Sequence, residues 1–113
     1  AKWPLFLFLT TAFLLSSCGK LVTDSHPDFV GTWISTDFTN TYILVIDDQN
    51  NARFDRLDIN GDTIQTNLGT ARINSSDKLI IGNIKLNITE YPVYNDQNQQ
   101  WTCQLENWPF IKQ

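Results

Sequence analysis

The sequence predicts an all-β domain, a small antiparallel up-and-down barrel or sandwich of about eight short strands, preceded by a signal peptide. Apolar and polar residues alternate along several short stretches, which is the pattern of strands with one buried face. Turn-forming residues separate these stretches at intervals of about eight to twelve residues, a spacing typical of sandwiches and barrels. No stretch between residues 30 and 113 has the period of an amphipathic helix.

The first 17 residues differ in composition from the rest of the chain. Lys2 precedes Trp3–Leu15, which is almost wholly apolar, and this layout is typical of a secretory signal peptide. A helix over that stretch would span about 20 Å, which is too short for a hydrocarbon core of about 30 Å. A signal peptide over residues 1–17 is therefore favoured over a permanent transmembrane helix.

Residues 18–29 are expected to form a tether between Cys18 and the β-domain. They contain Gly19, Pro27 and charges of both signs, with neither a helical nor a strand period, so a mostly extended conformation is predicted. His26 lies here and is the single histidine of the chain. A lone histidine beside a proline in a linker is expected to be solvated.

Residues 30–113 form the predicted β-domain. Ile84–Thr89 alternates strictly between apolar and polar residues, as a half-buried strand does. Asn60-Gly61 and Gly82-Asn83 are dipeptides that favour tight hairpin turns. Strands joined by such short turns must be antiparallel neighbours. The predicted strands lie near 31–36, 41–47, 52–58, 63–67, 69–74, 78–81, 84–90 and 100–106.

Composition and motifs argue against several classes of function. A net charge of −4 indicates no basic surface for nucleic acid. With His26 alone in a tether, a Ser/His/Asp arrangement and most zinc sites are excluded. The carboxylates around Asn60-Gly61 do not fit a calcium loop, because the register places Arg56 where that loop needs Asp. We therefore predict a protein that is not an enzyme, with no catalytic residue, no metal and no cofactor.

Aromatic residues and one cysteine are the candidates for the barrel interior. Cys103 alternates with Trp101 and Leu105, which places it on the core face as a small hydrophobe; an intermolecular disulfide is the alternative. A small eight-stranded barrel can be filled by its own side chains or can hold one small ligand. The residues expected to fill the core or to line a ligand pocket are Trp33, Phe54, Trp101, Cys103 and Trp108.

Leu15-Ser16-Ser17-Cys18 resembles the lipobox of bacterial lipoproteins. The resemblance implies a diacylglycerol thioether on Cys18, cleavage between Ser17 and Cys18, and acylation of the new amino group. Two or three acyl chains hold a protein on a bilayer, since each buried CH₂ contributes about 0.8 kcal/mol. The alternatives are ordinary secretion with Cys18 as a thiol, and a chance match. Gly19 resembles the sorting pattern for the outer membrane, so a lipid-anchored place in the cell envelope is expected, either periplasmic or surface-exposed.

Gly31-Thr32-Trp33 resembles the G-x-W motif in the first strand of lipocalin-like barrels. Four further stretches follow it in the order that short Bacteroidetes-type lipoproteins with a lipocalin-like domain show: "YILVID", "GTARI", "LIIGNIKLNITEYP" and "WTCQLEN". The resemblance covers residues 30 to about 110. Lipocalins usually carry a late Arg that stacks on the motif Trp, whereas this chain has Lys112.

These resemblances imply a domain order and a function. Residues 1–17 would be the lipoprotein signal peptide, 18–29 the lipidated cysteine with its tether, and 30–113 the lipocalin-like barrel. The implied function is a non-catalytic envelope lipoprotein whose barrel binds a small apolar ligand. The alternative is a structural or interaction protein with a filled barrel, which contacts another envelope protein or a cell-wall component.

Overall fold

A computed structural model describes residues 19–113 of the chain. The predicted signal peptide, the cleavage position at Ser17 and the lipidation position at Cys18 lie outside the described residues. The described elements are β1 (Lys20–Leu21), α1 (Val22–Ser25), a 3₁₀ turn (Pro27–Phe29), β2 (Gly31–Thr36), β3 (Thr41–Ile46), β4 (Asn51–Leu57), β5 (Thr63–Ile73), β6 (Lys78–Ile81), β7 (Ile84–Asn95), β8 (Gln100–Leu105) and β9 (Trp108–Lys112).

Strands β2 to β9 form a closed antiparallel up-and-down barrel. Each strand pairs with the next one along the chain, and β9 pairs back with β2 through Trp33↔Lys112 and Ile34↔Ile111. The ninth strand, β1, pairs with the end of β5 outside this ring. The prediction of an all-β, antiparallel, up-and-down barrel is therefore confirmed.

The division into strands differs from the prediction around Gly69. Residues 63–67 and 69–74 were expected as two strands, whereas β5 is one strand over Thr63–Ile73. A Cβ on Gly69 would lie 2.3 Å from the backbone nitrogen of Gly82. The glycine therefore lets β5 pass close to the β6–β7 turn, and it does not break the strand.

The last strand, β9, was not predicted. It contains Pro109, which pairs opposite Gln104 of β8. A proline within an apolar run argues against a strand at the sequence level, and for that reason the prediction ended at residue 106. Because β9 replaces the strand lost by fusing 63–67 with 69–74, the barrel still has eight strands.

The interior of the barrel is apolar. Trp33, Leu44 and Phe54 occupy paired positions on three adjacent strands and are each at most 3% exposed. The buried apolar residues form one cluster: Val22, Phe29, Trp33, Tyr42, Leu44, Ile46, Ala52, Phe54, Ala71, Ile73, Leu79, Ile81, Leu86, Ile88, Cys103, Leu105 and Phe110.

The N-terminal segment, residues 19–29, is part of this core and not an extended tether. β1 pairs with β5 through Lys20↔Ile73 and Leu21↔Arg72, and Val22 and Phe29 are both fully buried. The indole Nε1 of Trp33 donates a hydrogen bond to the Phe29 carbonyl at 2.9 Å. Two apolar side chains seven positions apart leave no periodic pattern in the sequence, so their burial could not be predicted from it.

The two ends of the barrel are named by the position of the N-terminal segment. The near end carries the N-terminal segment and the turns 47–50, 74–77 and 96–99, and the far end carries the turns 37–40, 58–62, 82–83 and 106–107. In residues 19–113, no helix has the length and apolar composition that crossing a bilayer requires.

Strand β5 pairs with different strands along its two edges, and one of them, β6, is the shortest strand of the barrel. The first part of β5 pairs with β4, and only Ala71–Ile73 pair with β6. The ladder of β5 is interrupted opposite Arg56 and Leu57, and that of β7 between Ile88 and Val93. These interruptions lie where β5 and β7 extend beyond β6.

Candidate binding cleft

Asn50 holds the N-terminal segment on the near end of the barrel. It lies in the β3–β4 turn with φ of 66° and is 6% exposed. Its Oδ1 accepts a hydrogen bond from the Thr23 backbone N–H at 2.9 Å, and its Nδ2 donates to Thr23 Oγ1 at 2.8 Å. Asn tolerates this left-handed conformation better than most residues. Both of its side-chain groups are satisfied, as a buried amide requires.

A cleft of about 360 Å³ lies where the N-terminal segment meets the β5–β6 turn and β7. It is open to solvent, and its volume falls at the lower end of the range for small-molecule sites, about 300 to 1,000 Å³. Its lining residues are Gly19, Lys20, Ser25, His26, Ile73, Asn74, Ser75, Asp77 and Tyr91.

Two stacked rings form one wall of the cleft. The centroids of His26 and Tyr91 are 4.4 Å apart, with an interplanar angle of 26°. Phe29 meets the Tyr91 ring edge-on at 6.1 Å. His26 is thus half-buried in an aromatic contact, whereas the sequence predicted a solvated linker histidine.

Tyr91 carries the polar end of this wall. Its hydroxyl donates a hydrogen bond to Asp77 Oδ1 at 2.6 Å. Burial, and then the hydrogen bond and negative charge of Asp77, raise the pKa of Tyr91 to about 12. The phenol therefore stays protonated at neutral pH, where it acts as a hydrogen-bond donor and not as a base.

The Nδ1 atom of His26 is buried without a hydrogen-bond partner within the described part of the chain. Leaving a buried polar atom unsatisfied costs about 1 to 3 kcal/mol. His26 itself is half-buried and lines the cleft, so the unpaired atom belongs to a residue of the cleft wall.

Small polar groups make up another part of the cleft lining. Asn74 Oδ1 accepts hydrogen bonds from the backbone N–H groups of Ser76 and Lys78, which shapes the turn. Ser25 Oγ donates to the Leu21 carbonyl at 3.1 Å and keeps its lone pairs as acceptors. Together with the exposed Lys20, these residues offer both donors and acceptors around the apolar side chain of Ile73.

Ser25 and His26 both line the cleft but are not hydrogen-bonded to each other. Ser25 donates to a backbone carbonyl instead of to His26, so it is not arranged as an activated nucleophile. Among residues 19–113, no group of three or more His, Cys, Asp or Glu could hold a metal ion.

The five residues predicted as core or ligand pocket lie elsewhere, inside the barrel. Trp33, Phe54 and Cys103 are buried, at 3% exposure or less. Trp101 and Trp108 are partly buried and pack against the core. These residues therefore belong to the packed interior, and none of the five lines the cleft.

Several aromatic side chains of the barrel stack on one another. Tyr42 stacks on Trp108 at 4.1 Å with an interplanar angle of 9°, and on Phe54 at 6.1 Å. Trp101 packs on Tyr94 at 5.4 Å. Tyr42 and Phe54 are at most 6% exposed, so their stack fills interior space, whereas Tyr94 is 47% exposed.

Lys112 takes the position that the lipocalin resemblance assigns to an arginine. Its Nζ lies 5.2 Å from the ring centroid of Trp33 and 5.1 Å from that of Trp101. An ammonium within about 6 Å of an aromatic face makes a cation–π interaction. Burial lowers the pKa of Lys112, an effect that the charge of Asp28 opposes.

Cys103 is a free thiol in the core. Burial, with a further contribution from Glu90, raises its pKa to about 12. A thiol that is neutral and buried is unreactive, because the thiolate is the nucleophile. Cys103 therefore acts as a packing residue.

Sequence reasoning missed the cleft because three distant segments build it. His26 follows α1, Asp77 lies in the β5–β6 turn and Tyr91 lies in β7, and no local motif connects them. Val22 and Phe29, whose burial docks the segment on the core, are seven positions apart and leave no local pattern.

No family model matches the chain, and no match was found among curated proteins or among solved structures.

Proposed function

We propose that the protein is a non-catalytic, lipid-anchored lipoprotein of the bacterial cell envelope that binds a small ligand in the cleft at the near end of its barrel. The anchor would be an acylated Cys18, as the lipobox-like Leu15–Cys18 implies. The observation that carries the binding function is the cleft of about 360 Å³ with the stacked His26 and Tyr91 rings in its wall.

The position of the cleft supports this assignment. Gly19, which follows Cys18 directly, is one of its lining residues. β1 begins at Lys20 and is already paired with β5, so an acyl group on Cys18 would be attached almost at the rim of the cleft. A ligand that reaches the protein at the membrane surface would arrive at this end of the barrel.

The lining indicates the chemistry of the ligand. The two rings and Ile73 offer an apolar surface, while Asn74, Ser75 and Lys20 offer polar groups. Small-molecule sites commonly combine an apolar lining with a few placed polar groups. We therefore propose a partly apolar ligand with hydroxyl or carbonyl groups. The barrel interior is the less favoured place, because its aromatic side chains are packed against one another.

The anchor is tested with two cysteine substitutions in the full chain, expressed in a Gram-negative host. Cys18→Ser should abolish incorporation of labelled palmitate and leave an unprocessed precursor. Cys103→Ala, which removes the other cysteine, should be labelled as the wild type is. Normal processing of Cys18→Ser would refute the lipoprotein assignment.

Ligand binding is tested by native mass spectrometry of the protein purified from its own cells. The wild type should carry an additional small mass. Ser75→Trp, which places a bulky ring in the cleft, should lose it, and Ser76→Trp, the exposed neighbouring residue outside the cleft lining, should retain it. Protein without added mass, or a mass that Ser75→Trp leaves in place, would count against the cleft as the binding site.

A second function, contact with another envelope component, is favoured by the outer surface of the barrel. One row of paired residues crosses five adjacent strands and points outward: Val93, Thr102, Ile111, Ile34 and Ile43. Val93 is 48% exposed and Ile111 39% exposed. Exposed apolar rows of this kind often mark interaction surfaces.

This second function has a separate test. A photo-reactive phenylalanine analogue at Val93 should cross-link a partner in intact cells, and the same analogue at the exposed residue Gln49 should not. Equal yields at the two positions would indicate non-specific contact.

A further inference from the structure

The far end of the barrel presents two apolar side chains directly to solvent. Phe38 in the β2–β3 turn is 99% exposed, and Ile59 in the β4–β5 turn is 77% exposed. Both line one groove of about 120 Å³ together with Asp37 and Asp58, so the two turns are neighbours. A single exposed apolar residue is ordinary, but two on adjacent turn tips form a contact surface.

Phe38 projects from a turn that its own hydrogen bonds hold in place. Asp37 Oδ1 accepts hydrogen bonds from the backbone N–H groups of Thr39 at 2.8 Å and Asn40 at 2.6 Å. The backbone N–H of Asp37 also donates to the Asn40 carbonyl at 3.0 Å. Phe38 is thus presented on a preorganised loop, which lowers the entropic cost of binding.

Ile59 is presented in the same way. Asp58 Oδ1 accepts hydrogen bonds from the backbone N–H groups of Asn60 at 2.9 Å and Asp62 at 3.0 Å. The Asp58 backbone N–H donates to the Asp62 carbonyl at 2.9 Å. Two turns of the same construction therefore each present one apolar side chain at the far end.

The charged residues within the far-end turns are all acidic. The four turns of the far end contain Asp37, Asp58, Asp62 and Glu106 and no Lys, Arg or His. Arg56, the nearest cation, is bonded to Asn40 at the base of the β2–β3 turn. Hydrogen bonds from the Asn40 and Thr39 backbone lower the pKa of Asp37, so this carboxylate stays ionised at neutral pH.

We propose that the far end is a docking surface for a protein that offers an apolar pocket with a basic rim. Phe38 and Ile59 enter the pocket, and the surrounding carboxylates pair with Lys or Arg on the partner, since complementary charge guides association and fixes its orientation. A lipid surface is the less favoured occupant. The turns are acidic, so anionic headgroups repel them, and the N-terminal segment lies at the opposite end of the barrel.

The test places a benzoyl-phenylalanine at position 38 of the full chain in its own cells. This side chain keeps the apolar character of Phe38 and cross-links what touches it. One discrete protein adduct is expected. In the same background, Ile59→Ser should lower its yield by about tenfold, as removal of a hot-spot side chain does, and so should Asp58→Asn combined with Asp62→Asn. Leu68→Ser, an exposed apolar-to-polar change on the side of the barrel, should leave the yield unchanged.

The identified partner then gives the second readout. After purification, it should bind the wild-type chain and lose about tenfold in affinity with Ile59→Ser, and binding should weaken as salt rises because the rim is charged. An adduct with lipid, an adduct with a second copy of this chain, no adduct, or a yield that Ile59→Ser leaves unchanged would each overturn the proposal. The cleft variant Ser75→Trp should not alter this cross-link, so loss of ligand binding and loss of docking are distinguishable.

Discussion

Thr23 and Asn50, 27 positions apart in the chain, hydrogen-bond to each other twice, through the Thr23 N–H at 2.9 Å and the Thr23 hydroxyl at 2.8 Å. This reciprocal pair joins the N-terminal segment to the β3–β4 turn. Because Val22 beside it is fully buried, the pair fixes where the segment enters the core.

Substitution of Asn50 should release that connection. Asn50→Gly keeps the left-handed backbone and removes the amide, so the free energy of unfolding should fall by about 1 to 3 kcal/mol, two hydrogen bonds at roughly 0.5 to 1.5 kcal/mol each. Asn50→Ala should cost about 1 kcal/mol more, because alanine is strained at positive φ. Urea unfolding measures both changes. Amide exchange at Thr23 should accelerate in each variant, and unchanged exchange there would contradict the role of the pair.

Gly69 should tolerate no side chain. Gly69→Ala would place its Cβ 2.3 Å from the Gly82 backbone nitrogen, and overpacking against backbone costs about 1 to 3 kcal/mol. Gly61→Ala is the matched control: its φ is +85° but nothing lies within 4 Å of the added Cβ, so only backbone strain of about 1 kcal/mol is expected. Thermal and urea unfolding should show the larger loss at Gly69. Equal losses would show that the close approach to the β6–β7 turn is unimportant.

His26 should respond differently to two substitutions. His26→Ala removes the stack on Tyr91 and should lower the free energy of unfolding by about 1 kcal/mol. His26→Phe keeps a ring and removes the unsatisfied Nδ1, so stability should be unchanged or higher. Urea unfolding distinguishes the two. Wild-type stability in both variants would instead fit a solvated tether.

Cys103 should make the protein sensitive to alkaline pH. Burial raises its pKa from 9.0 to about 12. Between those values the folded state holds a proton that the unfolded state has lost, so this contribution to stability is complete below pH 9 and is lost as pH rises towards about 12. Urea midpoints should fall more steeply in this range for the wild type than for Cys103→Ala. The variant should lose about 1 kcal/mol at neutral pH through its smaller side chain. The pKa of Tyr91 is also raised to about 12, but this group titrates in both proteins, so its effect cancels in the comparison. Parallel curves of stability against pH for the two proteins would rule out a contribution from the thiol.

The strands were predictable where one face is buried and the other exposed. Ile84–Thr89 alternates in sequence, and Leu86 and Ile88 are the buried residues. The prediction failed where a local signal had a non-local cause. Gly69 resembles a strand break in sequence, but β5 continues through it because the β6–β7 turn lies against that position. The apolar run at Trp108–Lys112 contains a proline, and only its pairing with β8 identifies it as a strand.

The candidate cleft could not be predicted from the sequence, and the reason is geometrical. His26 stacks on Tyr91 and Tyr91 bonds to Asp77, but these residues come from three elements that only the closed barrel brings together. By contrast, the buried positions of Trp33 and Cys103 followed from alternation and motif, because each depends on its own strand.

The interrupted ladders of β5 and β7 have a consequence for association between copies of the chain. Where these strands extend beyond the short β6, an unbroken, regular edge would offer a template on which a neighbouring copy could add its own strand. The register shifts near Leu57 in the β4–β5 ladder and between Ile88 and Val93 in the β7–β8 ladder make both edges irregular. Irregular edges of this kind are poor templates for a further strand, so the two strand edges that the short β6 leaves open are protected against edge-to-edge pairing of two copies.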